Sequence, residues 1–276
     1  VLGIIGGSGL YAMAELAQAR WQRVSTPFGD PSDEVLVGEL EGTPVAFLPR
    51  HGRGHRIGPS DINYRANIAA LKQIGVTDVV SVSAVGSLRD DLSPGTFVMV
   101  DQFVDRTVSR PRTFFGPGMV VHVGLAHPVC ARLRQALTAT AAVQGLPHRQ
   151  GGTYLVIEGP QFSTLAESRL YRQWGCDVIG MTNMPEARLA REAELCYATV
   201  AMVTDYDCWH PEHGTFSVET ILGVLAANVE RARALIRGVA PRLATHPAPC
   251  PSGCDRALAT AVATAPEART PWTSLP

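Results

Sequence analysis

The chain reads as an α/β fold: a central mixed, largely parallel sheet flanked by helices. Three observations predict this. Apolar, strand-like runs alternate with helix-compatible segments along most of the chain. The run Ala198–Val203 is apolar and β-branched without alternation, as in a strand covered on both faces. That run, like several others, passes abruptly into polar or glycine-rich residues, the pattern by which such sheets present ligand-binding groups at the carboxyl ends of their strands. Here the polar half is Thr204, Asp205 and then Asp207. Burial and a neighbouring like charge both raise a carboxyl pKa, and a carboxyl kept neutral donates a proton as a general acid. A solvated loop or helix cap is the equally weighted alternative for the two aspartates.

The remaining elements follow in order. Leu2–Ile5 reads as a buried strand, and Gly6-Gly-Ser-Gly9 as the turn after it, with Ser8 placed to hold an anion. Leu10–Arg20 is helix-compatible. Val35–Leu40 and Pro44–Leu48 flank Glu41-Gly42 as a hairpin. Its second strand runs into Arg50, His51, Arg53 and His55, a cluster suited to a phosphate dianion or to a solvated basic loop. A helix is expected from Ser60 or Asp61 to Ile74. Val79–Val82 is a strand that ends in Ser83-Ala84-Val85-Gly86-Ser87, and Phe97–Val100 is another. Asp101–Val121 reads as a long irregular region, with His122 just beyond. Pro128–Gln144 is helical and Thr153–Ile157 a strand. Thr164 with Glu167 forms a capping box for a helix to Trp174, so Phe162 stands at a strand-to-helix junction. Asp177–Gly180 is a strand, Met181–Met184 a loop, and Pro185-Glu186 opens a helix. Ser217–Gly238 is a long amphipathic helix.

Length and composition narrow the function classes. At 276 residues one domain is the default, taken as 1–240 with an Ala/Pro/Thr-rich tail over 241–276 expected to pack weakly or serve as an interaction arm. Apolar residues make up 46% and charged residues 18%, a globular composition, and the net charge of −1 argues against nucleic acid or anionic lipid as a partner. No apolar run reaches membrane-spanning length and no leader pattern opens the chain, so a cytoplasmic protein is expected. Of six cysteines only Cys250 and Cys254 are close in sequence. With no second pair or histidine cluster at zinc spacing, no metal site is expected.

Taken together, Ser8, Arg50, His51, Ser83, Ala84 and Thr182 offer anion-binding groups. Phe162 and Met181 offer apolar surface, and Asp205 with Asp207 an acid and an acceptor. Such a set suits a nucleoside beside inorganic phosphate. The motifs Gly6-Gly-Ser-Gly9, Arg50-His-Gly-Arg-Gly-His55, Ser83-Ala-Val-Gly-Ser87, Asp101-Gln-Phe-Val-Asp-Arg106, Glu158-Gly-Pro-Gln-Phe-Ser163, Met181-Thr182 and Thr204-Asp-Tyr-Asp-Cys-Trp209 occur in this order. On them the chain resembles the trimeric purine nucleoside phosphorylase family to about residue 240.

The resemblance implies a three-layer nucleoside phosphorylase-like fold and a pentosyltransferase. The reaction expected is phosphorolysis of S-methyl-5′-thioadenosine to adenine and 5-methylthioribose 1-phosphate, with phosphate as co-substrate and no cofactor or metal. It implies that Ser8, Arg50, His51, Ser83, Ala84 and Thr182 hold phosphate. Met181 would meet the ribose, and Phe162 and Ser163 the base. Val218, Ile221 and His55 would line the 5′-substituent pocket, and His122 would reach a neighbouring subunit's pocket in a homotrimer. Asp205 would serve N7 of the purine and Asp207 its 6-amino group. An acceptor carboxylate repels a 6-oxo group unless one partner is protonated, so the pair favours aminopurines. A phosphorylase of 5′-methylthioinosine or other 6-oxopurine nucleosides is the alternative, followed by a nucleosidase using water.

Overall fold

A computed structural model describes residues 1–268 apart from positions 8, 12 and 212–217, with the backbone alone for 218–222. In chain order the strands are β1 (Leu2–Gly6), β2 (Ala17–Gln22), β3 (Val35–Leu40), β4 (Thr43–Pro49), β5 (Asp78–Ser87), β6 (Phe97–Val100), β7 (Gln102–Asp105), β8 (His148–Gln150), β9 (Thr153–Val156), β10 (Val178–Gly180) and β11 (Cys196–Asp205). The helices are α1 (Tyr64–Gln73), α2 (Ala131–Val143), α3 (Leu165–Gln173), α4 (Asn183–Glu192) and α5 (Val218–Val239). No helix among the described residues is long and apolar enough to cross a membrane.

The sheet is mixed and largely parallel, and β5 is the strand on which it turns. The first residues of β5 lie between β1 and β11, both parallel to it. Strand β1 stops at Ile5 opposite Ser81, whereas β11 follows β5 to Gly86. Beyond that gap β10 pairs antiparallel with Gly86 and Ser87. The sheet therefore forks over residues 82–85 of β5, leaving a notch into which the ends of β1, β4, β10 and β11 open. A fork of this kind is a topological switch point, where open sheets bind ligands.

Helices cover both faces. On β11, Tyr197, Ala201 and Val203 join the cluster containing Ile68 and Leu71 of α1 and Leu189 of α4. The alternate residues Cys196, Ala198, Val200 and Met202 join Leu133 and Leu137 of α2 and Leu235 and Ile236 of α5. This period-two division makes three layers and explains why the strand shows no polar alternation.

Three expectations are corrected. Leu10–Arg20 is not a helix: turns precede β2, whose pairing with β3 decides its conformation. The region after Asp101 is not wholly irregular, since Gln102–Asp105 pairs in parallel with β9. The segment after residue 241 is not weakly packed. Cys250 and Cys254 are buried, and Val262 bridges Val121. The capping box at Thr164–Glu167 is present as expected.

Candidate active site

Arg50 follows the last residue of β4 and is drawn under the fork, where it is 2% exposed. Its Nε and Nη2 donate to the two oxygens of the fully buried Glu186, at 2.8 and 3.0 Å. Nη2 also donates to Ser81 Oγ at 2.6 Å and the Ile5 carbonyl at 3.3 Å, and Nη1 to the Val82 carbonyl at 2.9 Å. Burial pulls the Arg50 pKa down, but Glu186 more than offsets it and the group stays charged. Of five N–H groups, one on Nη1 finds no acceptor among the described residues. The guanidinium is thus an internal ion pair with a single donor to spare rather than an open fork.

In the sequence Glu186 looks like an ordinary first-turn acid after Pro185, and nothing local marks it as the partner of Arg50. It also accepts from Ser81 Oγ at 2.7 Å and Tyr197 Oη at 2.8 Å. The Tyr197 pKa is pushed well up by burial and by Glu186, so the phenol remains a donor.

Across the notch, Ser83 of β5 and Thr182, just beyond β10, meet at 3.3 Å, and Ser83 Oγ lies 3.0 Å from Tyr154 Oη. Both hydroxyl residues are buried, and Ala84 beside them is exposed. In the sequence Tyr154 carries no signal of this contact, since an aromatic in an apolar strand reads as core. Gly180 is required above it, since a Cβ there would overlap the Tyr154 hydroxyl.

His51 Nδ1 lies 2.9 Å from the Ile57 carbonyl, which can only accept, so Nδ1 carries the proton and Nε2 is an acceptor. Burial lowers its pKa to about 4, and the ring stacks on exposed His55 at 4.3 Å. The ring is therefore uncharged at neutral pH, with Nε2 left as an acceptor.

The two aspartates close the other side. The pairing of β11 with β5 slips between Val203 and Asp205, a bulge that turns Asp205 toward Gly86. A Cβ on Gly86 would sit 3.0 Å from Asp205 Oδ1, so glycine admits the carboxylate there. Asp205 accepts from Thr204 Oγ1 at 2.7 Å and from the Asp207 amide at 2.8 Å. Burial raises its pKa despite both bonds. Asp207 has φ 54°, a left-handed conformation that aspartate tolerates better than most side chains. Its pKa is raised by burial, with the Asp205 charge adding to it.

Other expected residues divide. Ser163 Oγ is buried with no partner among the described residues, while neighbouring Phe162 is 68% exposed. The Met181 carbonyl accepts from Arg110 Nη1 at 2.6 Å, so that oxygen is already engaged. Buried Arg110 also donates to the Met184 and Glu158 carbonyls, both at 2.7 Å, and so ties together the segments that follow β9 and β10. His122 is exposed, and its amide donates to the Ala261 carbonyl at 2.8 Å. Among the described residues, no hydrogen bond joins it to the notch within one chain. Ser8 lies outside the described residues, as do the side chains of Val218 and Ile221.

The notch can therefore hold a small anion between Arg50, His51, Ser83 and Thr182, and a hydrogen-bonding ring against Asp205, Asp207 and Ser163. Comparison with known proteins points the same way. Residues 1–241 match the model of the "Phosphorylase superfamily". S-methyl-5′-thioadenosine phosphorylase of Rhodospirillum rubrum is 60% identical, covering 98% of this chain and 92% of the relative. The enzyme of the same name from Cereibacter sphaeroides is 59% identical, covering 98% and 93%. A methylthioadenosine phosphorylase from an Antarctic soil metagenomic library superposes with a TM-score of 0.90 at 48% identity, over 98% of this chain and 94% of that one. The methylthioadenosine phosphorylase of Schistosoma mansoni, in complex with adenine, gives 0.87 at 37% identity, over 93% and 96%.

Proposed function

The chain belongs to the phosphorylase superfamily, and from that premise we propose that it phosphorolyses S-methyl-5′-thioadenosine to adenine and 5-methylthioribose 1-phosphate, a pentosyl transfer. One observation carries the reading in the site itself. Two carboxyls of raised pKa end the central strand, across a forked sheet from a buried arginine and paired hydroxyls. The relatives named above supply the nucleoside.

Phosphate is the nucleophile. It takes the spare Arg50 N–H and the Ser83 and Thr182 hydroxyls, and its own P–OH donates to His51 Nε2. Ser8 and the Ala84 backbone complete the cradle. As the glycosidic bond lengthens, the ring gains positive charge beside the phosphate and the purine gains negative charge. The raised Asp205 carboxyl donates at N7 and stabilises that leaving group. Asp207 accepts from the 6-amino group, Ser163 bonds the base, Phe162 lies over it, and Met181 contacts the ribose. His55, Val218 and Ile221 form the end that receives the methylthio group, and His122 completes the pocket of a neighbouring subunit in a homotrimer. The reaction needs no cofactor beyond phosphate as co-substrate, and the reading is that of a cytoplasmic salvage enzyme.

The test is adenine release from S-methyl-5′-thioadenosine with and without phosphate, repeated with 5′-methylthioinosine. Phosphate-dependent release favouring the amino nucleoside supports the proposal. Preference for the oxo nucleoside would overturn the role of Asp207, and full-rate release in phosphate-free buffer would make the enzyme a nucleosidase.

A further inference from the structure

Four cysteines far apart in sequence meet on the sheet face opposite α1 and α4. Cys130 stands immediately before α2, Cys196 opens β11, and Cys250 and Cys254 come from the segment after α5. All four are buried, and their sulfurs lie within 4.8 Å of one another. Cys130 and Cys250 are 3.9 Å apart, and Cys196 and Cys250 3.4 Å. A zinc ion with four sulfurs at about 2.3 Å requires edges of about 3.8 Å between them. The observed separations bracket that value. They exceed a disulfide bond, and the set is too compact to surround a cluster of several irons.

The surroundings suit the anionic charge of such a site. Cys130 sits at the amino end of α2, where the helix favours negative charge. The Arg132 guanidinium lies beside Cys196 and Cys130, and its buried Nε has no acceptor among the described residues. A thiolate on Cys196 would supply one. The Cys250 amide is held by Asp255 Oδ2 at 2.8 Å, and Gly253 takes a left-handed φ of 69° that turns the chain between Cys250 and Cys254. Both sulfurs of the pair are thereby presented to one side.

We propose that Cys130, Cys196, Cys250 and Cys254 form a structural tetrathiolate zinc site that clamps the C-terminal segment to the body of the protein. Binding releases four thiol protons and closes loops from residue 130 to 250 and from 196 to 250. It holds the strand-like contact of Val262 with Val121, next to His122. Nothing in the site belongs to the phosphorolysis notch, so the proposal stands whatever the nucleoside.

The test uses the full chain purified under reducing conditions from zinc-supplemented cells. Elemental analysis is expected to find about one zinc per chain, and Cys250→Ser and Cys254→Ser to lower it at least tenfold. Cobalt exchanged into the wild-type chain should show the intense visible bands and thiolate charge transfer of tetrahedral cobalt–sulfur coordination, a readout independent of how the variants fold. Zinc below a tenth per chain together with no cobalt spectrum would overturn the proposal. So would disulfides among these four cysteines in the freshly isolated chain. Iron at one per chain would overturn the choice of metal.

Discussion

Replacing Glu186 by alanine removes both acceptors from the Arg50 fork. The perturbation is large because neither partner reaches water: the side chains are 2% and 0% exposed. Two guanidinium bonds at 2.8 and 3.0 Å, one from Ser81 and one from Tyr197 all lose their acceptor together. Breaking a buried pair from one side costs about 3–5 kcal/mol, because the remaining charge stays uncompensated. For a domain of this size that lowers Tm by roughly 5–9 °C. The orphaned arginine also becomes a stronger anion site. Saturating phosphate should therefore raise the Tm of Glu186→Ala more than that of the wild type, by mass action on the folded state. The assay is thermal unfolding by circular dichroism over a phosphate series. The double variant Arg50→Met/Glu186→Leu should recover much of the lost stability and none of the phosphate response. A Glu186→Ala Tm within 2 °C of the wild type, or a phosphate response no larger than wild type, would refute the reasoning.

Asp205→Asn should cut turnover while raising Tm at neutral pH. The folded carboxyl has a raised pKa, so the folded state binds the extra proton and stability falls as pH rises past the free-carboxyl range; a neutral amide removes that penalty. Paired kinetics and melts check it, and unchanged turnover would dismiss the acid role. Asp207→Asn keeps a left-handed backbone within reach and turns a pure acceptor into a donor and acceptor. The ratio of amino to oxo nucleoside turnover should fall roughly tenfold, and an unmoved ratio would reject the contact with the 6-position. His51 has a folded pKa of about 4 against 6.5 for the free ring. The unfolded chain takes up a proton between those values that the folded ring refuses, so stability drops as pH falls from 6.5 towards 4, by about 3 kcal/mol at most. Against the wild type, His51→Asn should flatten that part of the stability profile in urea titrations. Gly180→Ala displaces the Tyr154 hydroxyl and should raise the KM for phosphate more than that for the nucleoside, a split visible in initial-rate kinetics.

What the sequence discloses follows from range. The buried character of β11, the hairpin of β3 and β4, and the capping box of α3 are local, written in five to ten consecutive residues. Strand ends that carry Arg50, Ser83, Thr182 and Asp205 are legible for the same reason, because an abrupt change from apolar to polar marks each. Residues 10–20 show the limit: their composition suits a helix, but an edge pairing with β3 outweighs it. Glu186, Tyr154 and Arg110 are silent in the sequence because each looks ordinary among its neighbours, and only the folded chain gives it a partner. The four cysteines are silent for another reason, since 66 residues separate the first two and 54 the second from the third.

The most direct measurement of the central claim is a crystal structure with adenine and phosphate bound. The account predicts phosphate oxygens within hydrogen-bond distance of Arg50 Nη1, Ser83 Oγ and Thr182 Oγ1, with N7 and the 6-amino group of the base on Asp205 and Asp207. Adenine lodged away from the two aspartates, or phosphate outside the fork of β5, would contradict it.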